Sequence, residues 1–91
     1  MTANIKTVAR RAEAWLSDRA LPLWSSRGFD AEAGLFEEQL TFAGDPVTSV
    51  PRRLMVQSRQ ISVFAAASMS GRFAAGRDLA LGAMRRTIEA Y

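Results

Sequence analysis

Arg59 has apolar residues one helical turn to either side, Met55 and Val56 before it and Val63 after it, with Ala66 beyond. A guanidinium in such company is costly to bury unless it is paired or used. One reading places it in the lining of a pocket, where its planar fork could hold sugar hydroxyls or a developing oxyanion. The other makes it a snorkelling side chain or half of a structural ion pair with Glu37 or Glu38. Trp24, Phe29 and Phe36 offer an aromatic surface on which the C–H faces of sugars could stack, although such rings more often fill a core. Glu37 and Glu38 are the residue types of an acid–base carboxylate pair. Adjacent residues on a strand point to opposite faces, so at most one of the two can face inward.

Composition narrows the chemistry further. The chain has 91 residues, 48% of them hydrophobic and 23% charged, which is the composition of one small globular domain. It has no cysteine, so disulfides, thiolate metal sites and thiol catalysis are excluded. It has no histidine either, which removes the commonest general base and metal ligand. The net charge is +3, but Arg10-Arg11, Arg52-Arg53 and Arg85-Arg86 are separate pairs, and no stretch reaches the run of like charges that marks a nucleic-acid tail. Gly28, Gly34 and Gly44 make no phosphate-binding pattern. No apolar run is long enough to span a membrane. A cytoplasmic protein is the default, with no cofactor, no metal and no membrane partner implied.

Three helices and a short β-hairpin arm must position these residues. Residues 4–20 carry Ile5, Val8, Ala12, Trp15 and Leu16 on one face, behind a plausible N-cap at Asn4. Pro22 is expected to stop this helix and to push Leu21 toward extended geometry. Phe36, Leu40 and Phe42 alternate with polar residues over 35–43, AGDP at 43–46 supplies a turn, and Val47 to Val50 return as the partner strand. Glu38 breaks the alternation, so it faces a polar cavity or marks a bulge. The second helix runs over 51–69, starting at Pro51, with Arg52-Arg53 at a solvated start and Ser70-Gly71 at its end. Leu54, Ser58, Ile61 and Ala65 line one side of it, and Val56, Val63 and Ala67 the other, as in a helix sandwiched between layers. The third spans 77–90, with Leu81, Met84 and Ile88 on one face and Arg77, Arg85, Arg86 and Glu89 exposed. It reaches the last residue without a cap, which reads as an end where a partner element is missing.

LPLWSSRGFD, then GLFEEQLTFAGDPV, then PRRLMVQSRQISVFAAAS together resemble the N-terminal part of the N-acylglucosamine 2-epimerase superfamily, which includes mannose isomerases and cellobiose 2-epimerases. The resemblance lies in the order: an opening amphipathic helix, a tryptophan and G-F-D loop, a glycine-bearing hairpin, a G-x-P turn, and a helix with Q-x-R before an apolar run. It extends to about residue 68. Leu35 and Ser58 depart from the pattern, where a second glycine and an alanine are usual.

The resemblance implies a mainly α fold, the N-terminal part of an (α/α)6 barrel, with 51–69 as an inner helix and 4–20 as an outer one. It implies a small sugar as substrate, with Arg59 binding its oxygens near the reacting carbons, Trp24 and Phe36 walling the pocket, and Glu38 among the substrate-binding residues. The implied reaction is aldose–ketose isomerisation or C2 epimerisation through an enediol. Family members are several times longer and draw their acid and base from histidines on later helices. No catalytic residue is therefore expected in these 91 residues, and the chain alone is expected to be inactive, with its uncovered apolar helix faces prone to self-association. The alternative from another class is a small basic helical binding module without catalysis, meeting an acidic protein or nucleic acid. The absence of a basic stripe with interleaved aromatics argues against nucleic acid.

Overall fold

A computed structural model describes residues 4–91. Helix α1 (Ile5–Trp15) starts where Asn4 accepts the Thr7 N–H at 2.8 Å, satisfying one of the donors that a helix start leaves open. It does not stop before Pro22. A π turn (Leu16–Ala20) carries it into α2 (Leu21–Ser26). The register shift explains how the proline is accommodated. The Leu21 N–H reaches back five residues to Leu16 O, and Pro22 then falls in the first turn of α2, where no backbone donor is needed. Leu21 is helical, not extended (φ −65°, ψ −46°), because its side chain is a core anchor, 2% exposed. Full burial of a leucine is worth about 1.5–3 kcal/mol, enough to override the preference set by the following proline.

The hairpin lies upstream of the expected one. β1 (Phe29–Asp30) pairs antiparallel with β2 (Leu35–Phe36), in register Phe29 with Phe36 and Asp30 with Leu35. Its turn closes through the Asp30 carboxylate, which accepts the Glu32 and Ala33 N–H groups at 3.1 Å, and through Gly34 at φ +72°. The AGDP turn forms, with the Thr41 N–H donating to Asp45 O at 2.8 Å. Beyond a single bridge between Leu40 and Pro46 and one bond from the Val47 N–H to Gln39 O, no second ladder develops. Pro46 has no N–H to extend it, so Val47 to Val50 are not a strand. Phe42, expected on the inner face, is fully exposed at the loop.

Helix α3 (Leu54–Met69) begins three residues after Pro51, with Arg53 extended at its N-cap, and ends before Gly71 at φ +76°. α4 (Gly76–Ala90) folds back against it. The buried positions of α3 are Gln57, Phe64 and Ala67, so this chain covers one side of the helix, and Leu54, Met55, Val63 and Met69 remain exposed. On α4 the inward face is Gly76, Ala80, Ala83 and Thr87, not the expected Leu81, Met84 and Ile88; Met84 and Ile88 are exposed. Close approach decides this. A Cβ at position 76 would lie 2.5 Å from Phe64 O, so the helices meet through their smallest residues and the larger side chains are turned away. Arg86 is half-buried, not exposed: its Nε donates to Ala33 O at 3.0 Å and its stem packs over Gly34.

The core is an aromatic column. Phe36 and Phe64 are both fully buried and stack with centroids 5.3 Å apart. Phe29 meets Phe36 edge-on at 5.0 Å, and Phe73 meets Phe64 edge-on at 5.8 Å. Leu21, Ala67, Ala80 and Ala83 close around them. α1 buries nothing: Ile5, Val8 and Trp15 on its apolar stripe are 86%, 53% and 62% exposed. No helix of the described residues is long and apolar enough to cross a membrane.

Two glycines of α4 should respond oppositely to alanine. Gly76→Ala forces α3 and α4 apart and should cost about 1–3 kcal/mol, as overpacking does. Gly82 faces open space, so Gly82→Ala should gain up to about 1 kcal/mol of helix propensity. Chemical-denaturation midpoints of the two variants, measured side by side, should move in opposite directions. A Gly76→Ala protein as stable as the parent would show that the helices do not meet there.

Candidate functional site

Two acidic residues leaving β2 face two basic residues leading into α3. Arg52 Nη2 donates to Glu37 Oε1 at 2.7 Å and to Asp30 Oδ2 at 2.8 Å. Arg53 pairs with Glu38 through its Nε and donates its backbone N–H to the same carboxylate at 3.2 Å. The two pairs lie side by side, so Glu37 and Glu38 serve separate partners, as alternation on a strand requires. Of the pair expected at a solvated start, Arg53 is exposed and Arg52 is not. Arg52 is half-buried, and the Glu37 side chain is only 5% exposed. Glu38, expected to face a polar cavity or mark a bulge, has its side chain 9% exposed and ties the strand exit to the first turn of α3.

Gln57 completes the join from within. Its Oε1 accepts the Phe36 N–H at 2.9 Å and its Nε2 donates to Phe36 O at 2.7 Å. The side-chain amide thus does for Phe36 what a neighbouring strand would do, and all of these groups are buried. Beside the ion pairs lies a cleft of about 370 Å³ lined by Leu35, Glu37, Thr48, Val50, Pro51, Arg52 and Tyr91. The Tyr91 hydroxyl donates to Arg52 O and pins the end of α4 to this edge.

Electrostatics make Asp30 and Glu38 weak proton acceptors. The Ala33 N–H, opposed by partial burial and then aided by Arg52, lowers the Asp30 pKa below its ordinary 3.8. Burial pushes Glu38 up, but its bonds from the Arg53 side chain and N–H prevail and lower it below 4.5. Glu37, chiefly, holds the Arg52 guanidinium still more firmly protonated. Groups so arranged bind and orient; a base that removes a proton from carbon near neutral pH needs a pKa closer to the working pH. No group of three or more metal-ligating side chains gathers among the described residues.

These shifts fix the sign of an acid dependence. A carboxyl group whose folded pKa lies below its unfolded value stabilises the fold above the unfolded value and loses that contribution as pH falls through the folded one. Stability should thus be flat near neutrality and decline as the pH drops below 4.5 and 3.8, the ordinary values for Glu38 and Asp30. Asp30→Asn should shrink the acid decline. Urea titrations at pH 7 and pH 3 on both proteins give the comparison, and an equal decline in the two would remove Asp30 from the account.

The residues singled out by sequence do not form one constellation. Arg59 is exposed, among Met55 and Val63 on the uncovered side of α3, and it takes part in no ion pair among the described residues. The exposed position is compatible with the snorkelling alternative, while the pairing with Glu37 or Glu38 is absent, because Arg52 and Arg53 occupy those carboxylates. Phe36 is sealed in the core, without surface to offer a ligand. Trp24 is half-buried against the core, and a Cβ on Gly28 would lie 2.3 Å from its Cε3, which is why a glycine follows there. Sequence reasoning missed Arg52 and Gln57. The signal for Arg52 was the matching of doublets, Glu37-Glu38 with Arg52-Arg53. Gln57 gave none, since a polar residue in a helix reads as exposed.

The chain is similar to mannose-6-phosphate isomerase of Rhizobium meliloti (strain 1021), 45% identical over 71 residues, which is 78% of this chain and 18% of that protein. It thus spans less than a fifth of the relative's length. A stretch of 71 residues in a chain of 91 must contain residues 21–71, so the similar stretch holds Trp24, Phe36, Glu38 and Arg59 together with Gln57 and both ion pairs. No family model and no solved structure matches the chain.

Proposed function

We propose that this chain is the N-terminal portion of a sugar isomerase or 2-epimerase, in which it forms part of an (α/α)6 barrel and presents Arg59 to the substrate. The similarity to mannose-6-phosphate isomerase over the stretch that contains Arg59 carries this reading. The exposed position of Arg59 suits it, since the guanidinium donors are not spent on an ion pair among the described residues. The Arg52–Glu37 and Arg53–Glu38 pairs and the Gln57 clamp fix the first turns of α3, and so the height at which Arg59 stands. Trp24 belongs to the same reading as a wall residue and Glu38 as a substrate-binding one, while Phe36, which is fully buried, shapes the site from beneath.

The reaction is removal of a proton from the carbon beside the sugar carbonyl, giving an enediol, and its return to the neighbouring carbon or to the other face. Arg59 would donate to a substrate oxygen and hold the negative charge that develops on it. The proton itself must be moved by groups outside these 91 residues, which contain no histidine.

The test joins this chain to the portion of the Rhizobium relative that follows the similar stretch. The chain alone should not interconvert mannose and fructose or their 6-phosphates, and the folded hybrid should. In the hybrid, Arg59→Lys keeps the charge and loses the planar fork, so turnover should fall about a hundredfold at unchanged melting temperature. Turnover by the isolated chain, or full activity in a folded Arg59→Lys hybrid, would refute the respective parts of the reading.

A further inference from the structure

The uncovered side of α3 is not uniformly apolar. At about 100° per residue, Met55, Arg59, Ser62 and Ala66 fall within about 60° of its circumference, and all four are exposed. Ser62 lies about 160° from Phe64 around the axis, so it stands almost opposite the buried face. It is one turn from Arg59, about 5–6 Å away between Cβ atoms. Ser58 is exposed further round the same side. A helical serine can turn its hydroxyl back onto a carbonyl three or four residues earlier. Ser68, on the same helix, does so to Ala65 O at 2.9 Å. The serine hydroxyls that donate among the described residues are those of Ser25, Ser26, Ser68 and Ser70; Ser58 and Ser62, to either side of Arg59, form no such bond.

We propose that Ser62 is a second substrate contact beside Arg59, binding a sugar hydroxyl away from the reacting carbons. The proposal rests on the isomerase reading, which turns this side of α3 toward the substrate. The chemistry of the surroundings points to a hydroxyl as the ligand. Met55, Val63 and Ala66 around Ser62 offer no side-chain donor. Once the rest of a barrel encloses this side, a serine hydroxyl left without a partner carries the cost of its lost hydration. A sugar hydroxyl removes that cost, because it donates and accepts as serine does. Charge then divides the work between the two residues. Arg59 meets the oxygen on which negative charge develops, so its contact strengthens as the reaction proceeds. Ser62 is neutral, and its bond to a hydroxyl that does not react is the same before and during the reaction. It therefore sets affinity and the choice of sugar, and not the turnover.

The folded hybrid with the Rhizobium relative tests it, with mannose, its 6-phosphate and the monodeoxy analogues of each as probes. Ser62→Ala should raise KM about fivefold to tenfold, the worth of one neutral hydrogen bond, with turnover within about twofold and the melting temperature unchanged. One monodeoxy analogue should lose a similar factor against the parent hybrid and be indifferent to Ser62→Ala. Ser62→Thr keeps the hydroxyl and should keep most of the affinity. Ser68→Ala removes a hydroxyl already spent on Ala65 O and should leave KM unaltered. An unchanged KM in an active Ser62→Ala hybrid would overturn the inference and leave the isomerase reading standing. So would a lower melting temperature with equal losses toward every analogue, which would assign the hydroxyl to another helix of the barrel. A folded hybrid without turnover would overturn both.

Discussion

Gln57→Leu should cost about 2–6 kcal/mol of folding stability, although it replaces a buried polar residue by an apolar one of similar size. Leucine leaves both the Phe36 N–H and the Phe36 carbonyl buried without partners, and each such group costs about 1–3 kcal/mol. The lost bonds join β2 to α3 through residues 21 apart in sequence, so cooperative unfolding and not local fraying is expected. Gln60→Leu, one turn further along α3 at a half-buried position, is the control and should change stability by less than about 0.5 kcal/mol. Urea midpoints and amide exchange at Phe36 report the effect. If Gln57→Leu were as stable as Gln60→Leu, the amide clamp would not hold the strand.

Phe64→Ala should be of the same order, about 3–5 kcal/mol, because it empties the centre of the aromatic column. A chain of this size holds about 5–14 kcal/mol in total, so much of the population should lose its fixed tertiary packing. The near-ultraviolet circular dichroism of the aromatic rings should collapse while helical signal remains. Phe42→Ala removes an equal ring from a fully exposed position and should be nearly silent. Equal effects at 64 and 42 would contradict the packing described here. Both predictions concern the platform beneath α3 and not the proposed substrate contact, so they stand or fall apart from the isomerase reading.

How much was legible varied with the kind of interaction. The Asn4 cap and the AGDP turn depend on side chains bonding to backbone a few residues away, and such bonds are written in local spacing. Pro22 shows the limit of local rules: the proline is absorbed by a π turn upstream, held in place by the burial of Leu21. The hairpin was displaced because alternation over 35–43 looked like a strand, while the pairing was settled by contact between the Phe29 and Phe36 rings and by Pro46, which cannot extend a ladder. Of the candidate site, Arg59 was visible as an oddity in an apolar helix, but which side of the helix is covered was not.

By itself the sequence determined the helical class, the three long helical segments with a strand pair between the first two, and the exclusion of thiol and histidine chemistry. These follow from residue type and short-range periodicity, which no partner can change. Tertiary structure alone decided that α3 and α4 meet through Gly76, Ala80 and Ala83, that Arg52 and Arg53 take the carboxylates of Glu37 and Glu38, and that Arg59 stands in the open. Helical periodicity marks several faces of a helix as able to be buried. Which one is buried depends on how closely another backbone can approach, and that distance is a property of two segments together.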